Sequence, residues 1–184
     1  KDGSTITPDG HEPWISCKES LIKVHNVRGC IDAILVGAQT VIKDNPRLTP
    51  RGNIKPKRIP LRVVLDPNLI TPINSNIYQK DAKTLLVHSN KLNANHFSCE
   101  SIGLKIQNDT FDLKELLTII SHSYEVTNII VEGGAATIQE FISQNLACEL
   151  WFFKSKNNTN CSEYTDMNKM IKKIPKTCIL EQSS

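Results

Sequence analysis

At 184 residues, with 39% hydrophobic and 22% charged residues, the chain has the make-up of one folded domain that buries a core without cross-links. A formal charge of +3 is too small to mark a nucleic-acid surface, so the arginines matter by position rather than by number. No run approaches the roughly 18 consecutive apolar residues that cross a bilayer, and the opening KDGSTITPDG has no signal-peptide core, so the expectation is a cytoplasmic protein with neither nucleic-acid nor membrane partners.

Past that polar opening, Ile15, Leu21, Ile22, Val24 and Val27 alternate with polar residues and predict a helix over 17–28, with Ser16 as N-cap and Glu19 at the capping-box position. Residues 33–36 read as an apolar strand. A glycine turn and a short helical segment through Lys43 follow, stopped because Pro46 keeps Asn45 out of the α region. Strands are predicted at 61–65, 84–87 and 104–106, and a helix at 112–121 begins from an Asp cap. A β-branched strand at 126–131 runs into a helix at 135–145. Beyond the apolar run 150–153 come a polar segment read as a mobile loop and a weak last strand at 177–180. Strands alternating with helices predict an α/β fold around a largely parallel sheet.

The chemistry-bearing stretches sit in two strand-to-helix turns. In VEGGAAT, Gly133 and Gly134 let a ligand approach the backbone, and Ala135, Ala136 and Thr137 open a helix whose positive end can hold a pyrophosphate. Glu132, at the strand end, is expected to face the cleft as an acceptor. The spacing is not GxGxxG, and a glycine pair also serves as a plain tight connection. In VGAQTVIKDNPRLTPR, Thr40 and Asp44 share a helical face, and Arg47 and Arg51 repeat the interval. Two arginines there can clamp a phosphate, and a solvated basic loop has the same composition. Arg28 is a third candidate or a helix-terminal cation, and Trp14 can stack on a planar ring or pack in a core. The six cysteines (Cys17, Cys30, Cys99, Cys148, Cys161, Cys178) form no CxxC pair, and His11, His25, His88, His96 and His122 have no metal spacing. Reduced cysteines and no metal site are expected.

Taken together, DG at Asp2 and Gly3, WIS at Trp14 to Ser16, DAILVGAQTVIKDNPRLTPR, LRVVLDPNL and VEGGAAT closely resemble, in order and spacing, the reductase domain of riboflavin biosynthesis. That family comprises 5-amino-6-(5-phosphoribosylamino)uracil reductases, often fused behind a zinc-dependent deaminase. The resemblance implies a dihydrofolate-reductase-like fold, NADPH as hydride donor, a phosphoribosylaminouracil substrate and a homodimer. It implies one reductase domain over 1–184 without the family's first strand, and leaves open whether the last strand is complete. By position it assigns Trp14, Thr40, Asp44 and the turn from Gly133 through Gly134, Ala135, Ala136 and Thr137 to the cofactor. Arg28, Arg47, Arg51 and Glu132 go to the substrate. No proton donor is identified. Glu12 and Pro67 depart from the family pattern, and no deaminase signature is present, so any deaminase lies upstream or on another chain. A non-catalytic assembly domain for a deaminase, or a reductase of another pyrimidine or pterin-like substrate, is compatible with the same fold.

Overall fold

The structure, a computed structural model, describes residues 18–50, 56, 58–107, 109–153 and 179–183. In chain order its first elements are α1 (Lys18–Arg28), β1 (Ala33–Gly37), α2 (Ala38–Asp44), β2 (Leu61–Leu65), β3 (Thr84–Ser89) and β4 (Glu100–Leu104). A short hairpin, β5 (Ile106–Gln107) and β6 (Thr110–Phe111), precedes α3 (Leu113–Tyr124) and β7 (Ile129–Val131). α4 (Ala135–Ser143), β8 (Glu149–Phe153) and β9 (Ile179–Ser183) complete the order.

Residues His25–Ile138 form one compact unit. Its five strands pair in parallel in the order β4-β3-β2-β1-β7, as the alternation of strands and helices predicts. Strands buried on both faces read as near-continuous apolar runs, which is why β1 and β2 were legible to within a residue. From one face Ile34, Val36, Val64 and Leu86 pack with Val41 of α2 and with Leu48, Ile77, Tyr78, Ala94 and Phe97. α3 buries Leu113, Leu116 and Ile120, and its N-terminus is capped by the Asp112 carboxylate, which accepts the N–H of Glu115.

Two predicted strands are corrected. The fourth sheet strand is Glu100–Leu104, not 104–106; it lies at one end of the sheet, its polar residues face solvent, and the sequence signal is lost. β7 starts at Ile129 rather than 126, because the Asp32 carboxylate takes the N–H groups of Thr127 (2.9 Å) and Asn128 (3.3 Å). The Thr127 hydroxyl and Arg58 also bind Asp32, at 2.7 and 2.9 Å.

The second unit comprises Lys1–Val24 and Gln139–Ser184. Among its described residues β8 and β9 pair in parallel, the Lys23 ammonium lies 4.8 Å from the Trp151 ring centroid, and Gln144 donates to Glu140 at 2.7 Å. The predicted loop after Phe153 lies outside the described residues. Among the described residues no helix is long and apolar enough to cross a membrane.

A charge interrupts the core. Arg62, the second residue of β2, is 0% exposed. Its five N–H groups meet five acceptors: Nε donates to Thr84 Oγ1 (2.9 Å), Nη1 to Asp81 Oδ1 (2.8 Å) and to the Arg47 carbonyl (3.2 Å), and Nη2 to the carbonyls of Gln79 and of Ala82 (2.6 Å). Each such bond left unmade in a dry site costs about 1–3 kcal/mol, so the guanidinium fixes the segments that carry these acceptors.

Asp32 generates a pH prediction. Its bond from the Thr127 N–H holds the carboxyl below its ordinary 3.8, so the stabilisation is present above that value and is lost as pH falls through the lowered folded-state pKa. Asp32→Asn is expected to lower Tm by a few degrees at neutral pH, with the deficit shrinking in acid; a pH-independent deficit in thermal melts would contradict the assignment. Cys30, Cys99 and Cys148 are free thiols, and burial pushes Cys99 up to about 11. Exposed Cys30 and Cys148 should therefore alkylate at least about tenfold faster than Cys99 at neutral pH, which peptide mass spectrometry can read.

Candidate functional site

In a parallel sheet with helical crossovers, helix N-termini and the strand-exit loops gather at the carboxyl edge. β1 and β7 are hydrogen-bonded neighbours, Leu35 opposite Val131, so their exits leave the sheet side by side. The Glu132 N–H continues the ladder to the Leu35 carbonyl at 2.8 Å. Beyond it the chain turns through Gly133 and Gly134 into α4, as β1 turns at Gly37 into α2.

The two turns interlock. Thr40, third residue of α2, accepts the Gly134 N–H at 3.2 Å. A Cβ on Gly37 would stand 2.5 Å from Oγ1 of Thr137, third residue of α4. One on Gly133 would stand 3.2 Å from Thr40 Oγ1. Each helix thus lays its first-turn threonine over the glycine of the other turn. None of these glycines has a left-handed φ, so they are needed for close approach rather than for backbone freedom. Gly134 differs: a Cβ there would meet nothing within 4 Å. Its N–H is taken by Thr40 and its carbonyl by Thr137 and Ile138, while Ala135 and Ala136 present first-turn N–H groups ahead of the intrahelical bonds.

Of the candidate side chains, Arg28 and Glu132 come together, although 104 residues separate them. Arg28 Nε donates to Glu132 Oε1 at 2.7 Å and Nη2 to Oε2, in a side-on fork that is largely buried. Thr40 is engaged with Gly134, Asp44 ends α2 in solvent, and Arg47 is exposed with its carbonyl held by Arg62. Trp14, Arg51 and Glu12 lie outside the described residues. Among the described residues no group of three or more His, Cys, Asp or Glu could hold a metal ion.

Sequence reasoning did not single out Arg62 or Asp66, both 0% exposed at β2 and its exit. A charge inside the β-branched run LRVVL was the available signal. Asp66 organises the exit loop by accepting the N–H of Ile70 (2.9 Å) and Thr71 (2.8 Å) and the Thr71 hydroxyl (2.7 Å); Pro67 sits inside this loop, and its carbonyl accepts the Ser89 N–H at 3.2 Å. A cavity of about 400 Å³ lies at the opposite edge, by the amino ends of β1 to β3, lined by Asp32, Arg58, Leu61, Lys83 and His122. It is open and faces no crossed turn, so the carboxyl edge is the better candidate despite that cavity's size.

The profile of the RibD C-terminal domain family matches residues 2–153. The chain belongs to that family. Among relatives of this RibD C-terminal domain, the riboflavin biosynthesis protein RibD of Aquifex aeolicus is 32% identical over 144 residues, covering 78% of this chain and 40% of that protein. The 2,5-diamino-6-ribosylamino-4(3H)-pyrimidinone 5′-phosphate reductase of Archaeoglobus fulgidus is 33% identical over 160 residues, covering 81% of this chain and 73% of the relative. A crystal structure of a diaminohydroxyphosphoribosylaminopyrimidine deaminase/5-amino-6-(5-phosphoribosylamino)uracil reductase from Thermotoga maritima superposes with a TM-score of 0.62 at 28% identity, covering 78% of this chain and 39% of that one. The dihydrofolate-reductase-like sheet expected for this RibD C-terminal domain is the one observed, and the chain spans well under half of the bifunctional relatives.

Gly37→Ala should displace one turn and destabilise the domain by about 1–3 kcal/mol. Adding Thr137→Ala should recover part of that loss; strict additivity of the two changes in denaturant unfolding would contradict the interlock.

Proposed function

We propose that this chain is an NADPH-dependent oxidoreductase of riboflavin biosynthesis, reducing 5-amino-6-(5-phosphoribosylamino)uracil to the ribitylamino phosphate within one domain over residues 1–184. The observation that carries the reading is the interlocked pair of turns, which leaves Gly134 open beside the N-terminus of α4 at the carboxyl edge. A dinucleotide pyrophosphate fits that chemistry: it carries negative charge, the first helical turn presents N–H donors, and no side chain at Gly134 keeps it away. Ala135 and Ala136 hold it through their first-turn N–H groups, Gly133 keeps the turn close to α2, and Thr137, Trp14, Thr40 and Asp44 are assigned to the rest of the cofactor. When bound, NADPH supplies hydride to C1′ of the opened sugar.

On the substrate side Arg28, Arg47 and Arg51 gather the 5′-phosphate. Glu132 does more than accept from the substrate: by engaging Nε and Nη2 of Arg28 it orients the guanidinium, whose Nη1 has no partner among the described residues and can meet an anion. Charge-assisted, forked contacts of this kind align the sugar with the hydride donor, the main requirement of a reaction in which the cofactor carries the chemistry. We place the reaction in the cytoplasm, in a homodimer, beside a zinc deaminase on the same chain or a separate one.

The named substrates of the two relatives differ in one ring substituent, an amino group against a carbonyl, so both belong in the test. Purified full-length protein is expected to oxidise NADPH when given the deaminated uracil, and more slowly with NADH or with the diaminopyrimidinone. No oxidation with either pyrimidine by a folded protein would replace this reading with that of an assembly domain. Gly134→Val is expected to weaken NADPH binding about tenfold or more, with little effect on substrate affinity. Arg51→Ala should do the reverse, and equal losses of both ligands in either variant would remove that residue from its role.

A further inference from the structure

One of the five bonds of the arginine buried in β2 reaches the stretch that carries Arg47, a proposed phosphate ligand. Nη1 of Arg62 donates to the Arg47 carbonyl at 3.2 Å. The same short stretch is held at two more points. Asn45 and Asn76 bind reciprocally, the Asn76 N–H to Asn45 Oδ1 at 2.7 Å and Asn76 Nδ2 to the Asn45 carbonyl at 3.0 Å. Leu48 is 4% exposed in the core cluster.

These anchors hold an unfavourable backbone. Asn45 (φ 42) and Leu48 (φ 55) are both left-handed, and a leucine rarely adopts that conformation unless its surroundings enforce it. Arg47, between them, exposes its side chain while its carbonyl is drawn inward to Arg62. Burial alone would favour the neutral form of Arg62, and Asp81 opposes this by hydrogen bond and by charge. With every N–H engaged, the guanidinium cannot rotate without breaking several bonds at once. A lysine in its place has three donors on a flexible stem and cannot satisfy five acceptors arranged around a plane.

We propose that Arg62 is a positioning residue for substrate: acting through the Arg47 carbonyl, it holds residues 45–48 in the strained conformation that presents Arg47 to a sugar phosphate. The inference rests on the functional reading above for the identity of the ligand. It does not rest on it for the order of the loop.

The test uses the full-length protein and two variants, Arg62→Lys and Asn76→Ala, the second releasing the same stretch from a partly exposed site. Two readouts are taken. The first needs no ligand: the initial rate of trypsin cleavage at the Arg47–Leu48 bond, followed by mass spectrometry, reports how often that stretch opens. Arg62→Lys is expected to raise it about tenfold and Asn76→Ala by less. The second is kinetic: KM for the phosphoribosylaminouracil should rise about tenfold in Arg62→Lys, with KM for NADPH unchanged and kcat within about threefold. A lower Tm with unchanged cleavage and unchanged KM in both variants would make Arg62 a stability residue only and overturn the proposal. Equal rises in both KM values would overturn it as well. Should Arg62→Lys fail to fold, Asn76→Ala decides by the same two readouts. If the wild-type protein oxidises no NADPH, the functional reading falls, while the cleavage rates still decide whether Arg62 and Asn76 hold the loop.

Discussion

Parallel pairing of β1 with β7 is the constraint from which the rest follows. Neighbouring strands lie about 4.8 Å apart, and two that run the same way must release their chains at the same edge. Both chains here turn at once into helices, so two turns and two helix N-termini compete for one small volume. Glycine at Gly37 and Gly133 makes room, and the threonines that follow each turn use it, Thr40 over one glycine and Thr137 over the other. The outcome is a rigid double turn with Gly134 open beside a helix N-terminus. Rigidity there favours a phosphate ligand, since no loop has to be ordered when the ligand arrives.

The second theme is the placing of polar groups inside an apolar sheet. Arg62 and Asp66 lie four residues apart: the first ties down loops around β2 and β3, the second shapes the β2 exit. Both are fully bonded, as buried polar groups must be. The cost of the left-handed Leu48, about 1–2 kcal/mol, is offset by burying its side chain, worth about 1.5–3 kcal/mol. The loop is therefore held by the core rather than by its own sequence preference. Arg28 and Glu132 extend the logic to the cleft, where each fixes the other's direction.

The sequence made the core strands legible because burial on both faces leaves apolar runs, interrupted in β2 by Arg62, and α3 legible because Asp112 announces its start. β4 escaped because Glu100, Ser101 and Gly103 look like a loop when the strand faces water. The early residues of the strand predicted at 126–131 were misjudged because Asp32, distant in sequence, captures their N–H groups. The site divides in the same way. The glycines and the arginines could be picked out by type, and resemblance to a known reductase family gave them roles. Their mutual geometry could not be read: Thr40 and Gly134 are 94 residues apart, and Arg28 and Glu132 are 104 apart. Which glycine is packed and which is open is likewise a property of the fold, not of the GG pair.

The most direct test of this account is a crystal structure of the full-length protein with NADPH bound. The pyrophosphate is expected at the carboxyl edge, against the N–H groups of Ala135 and Ala136, with Gly134 at its closest approach and the Thr40 to Gly134 bond intact. A pyrophosphate seated elsewhere, for instance beside Arg58 and Lys83 in the cavity at the amino edge, would contradict it.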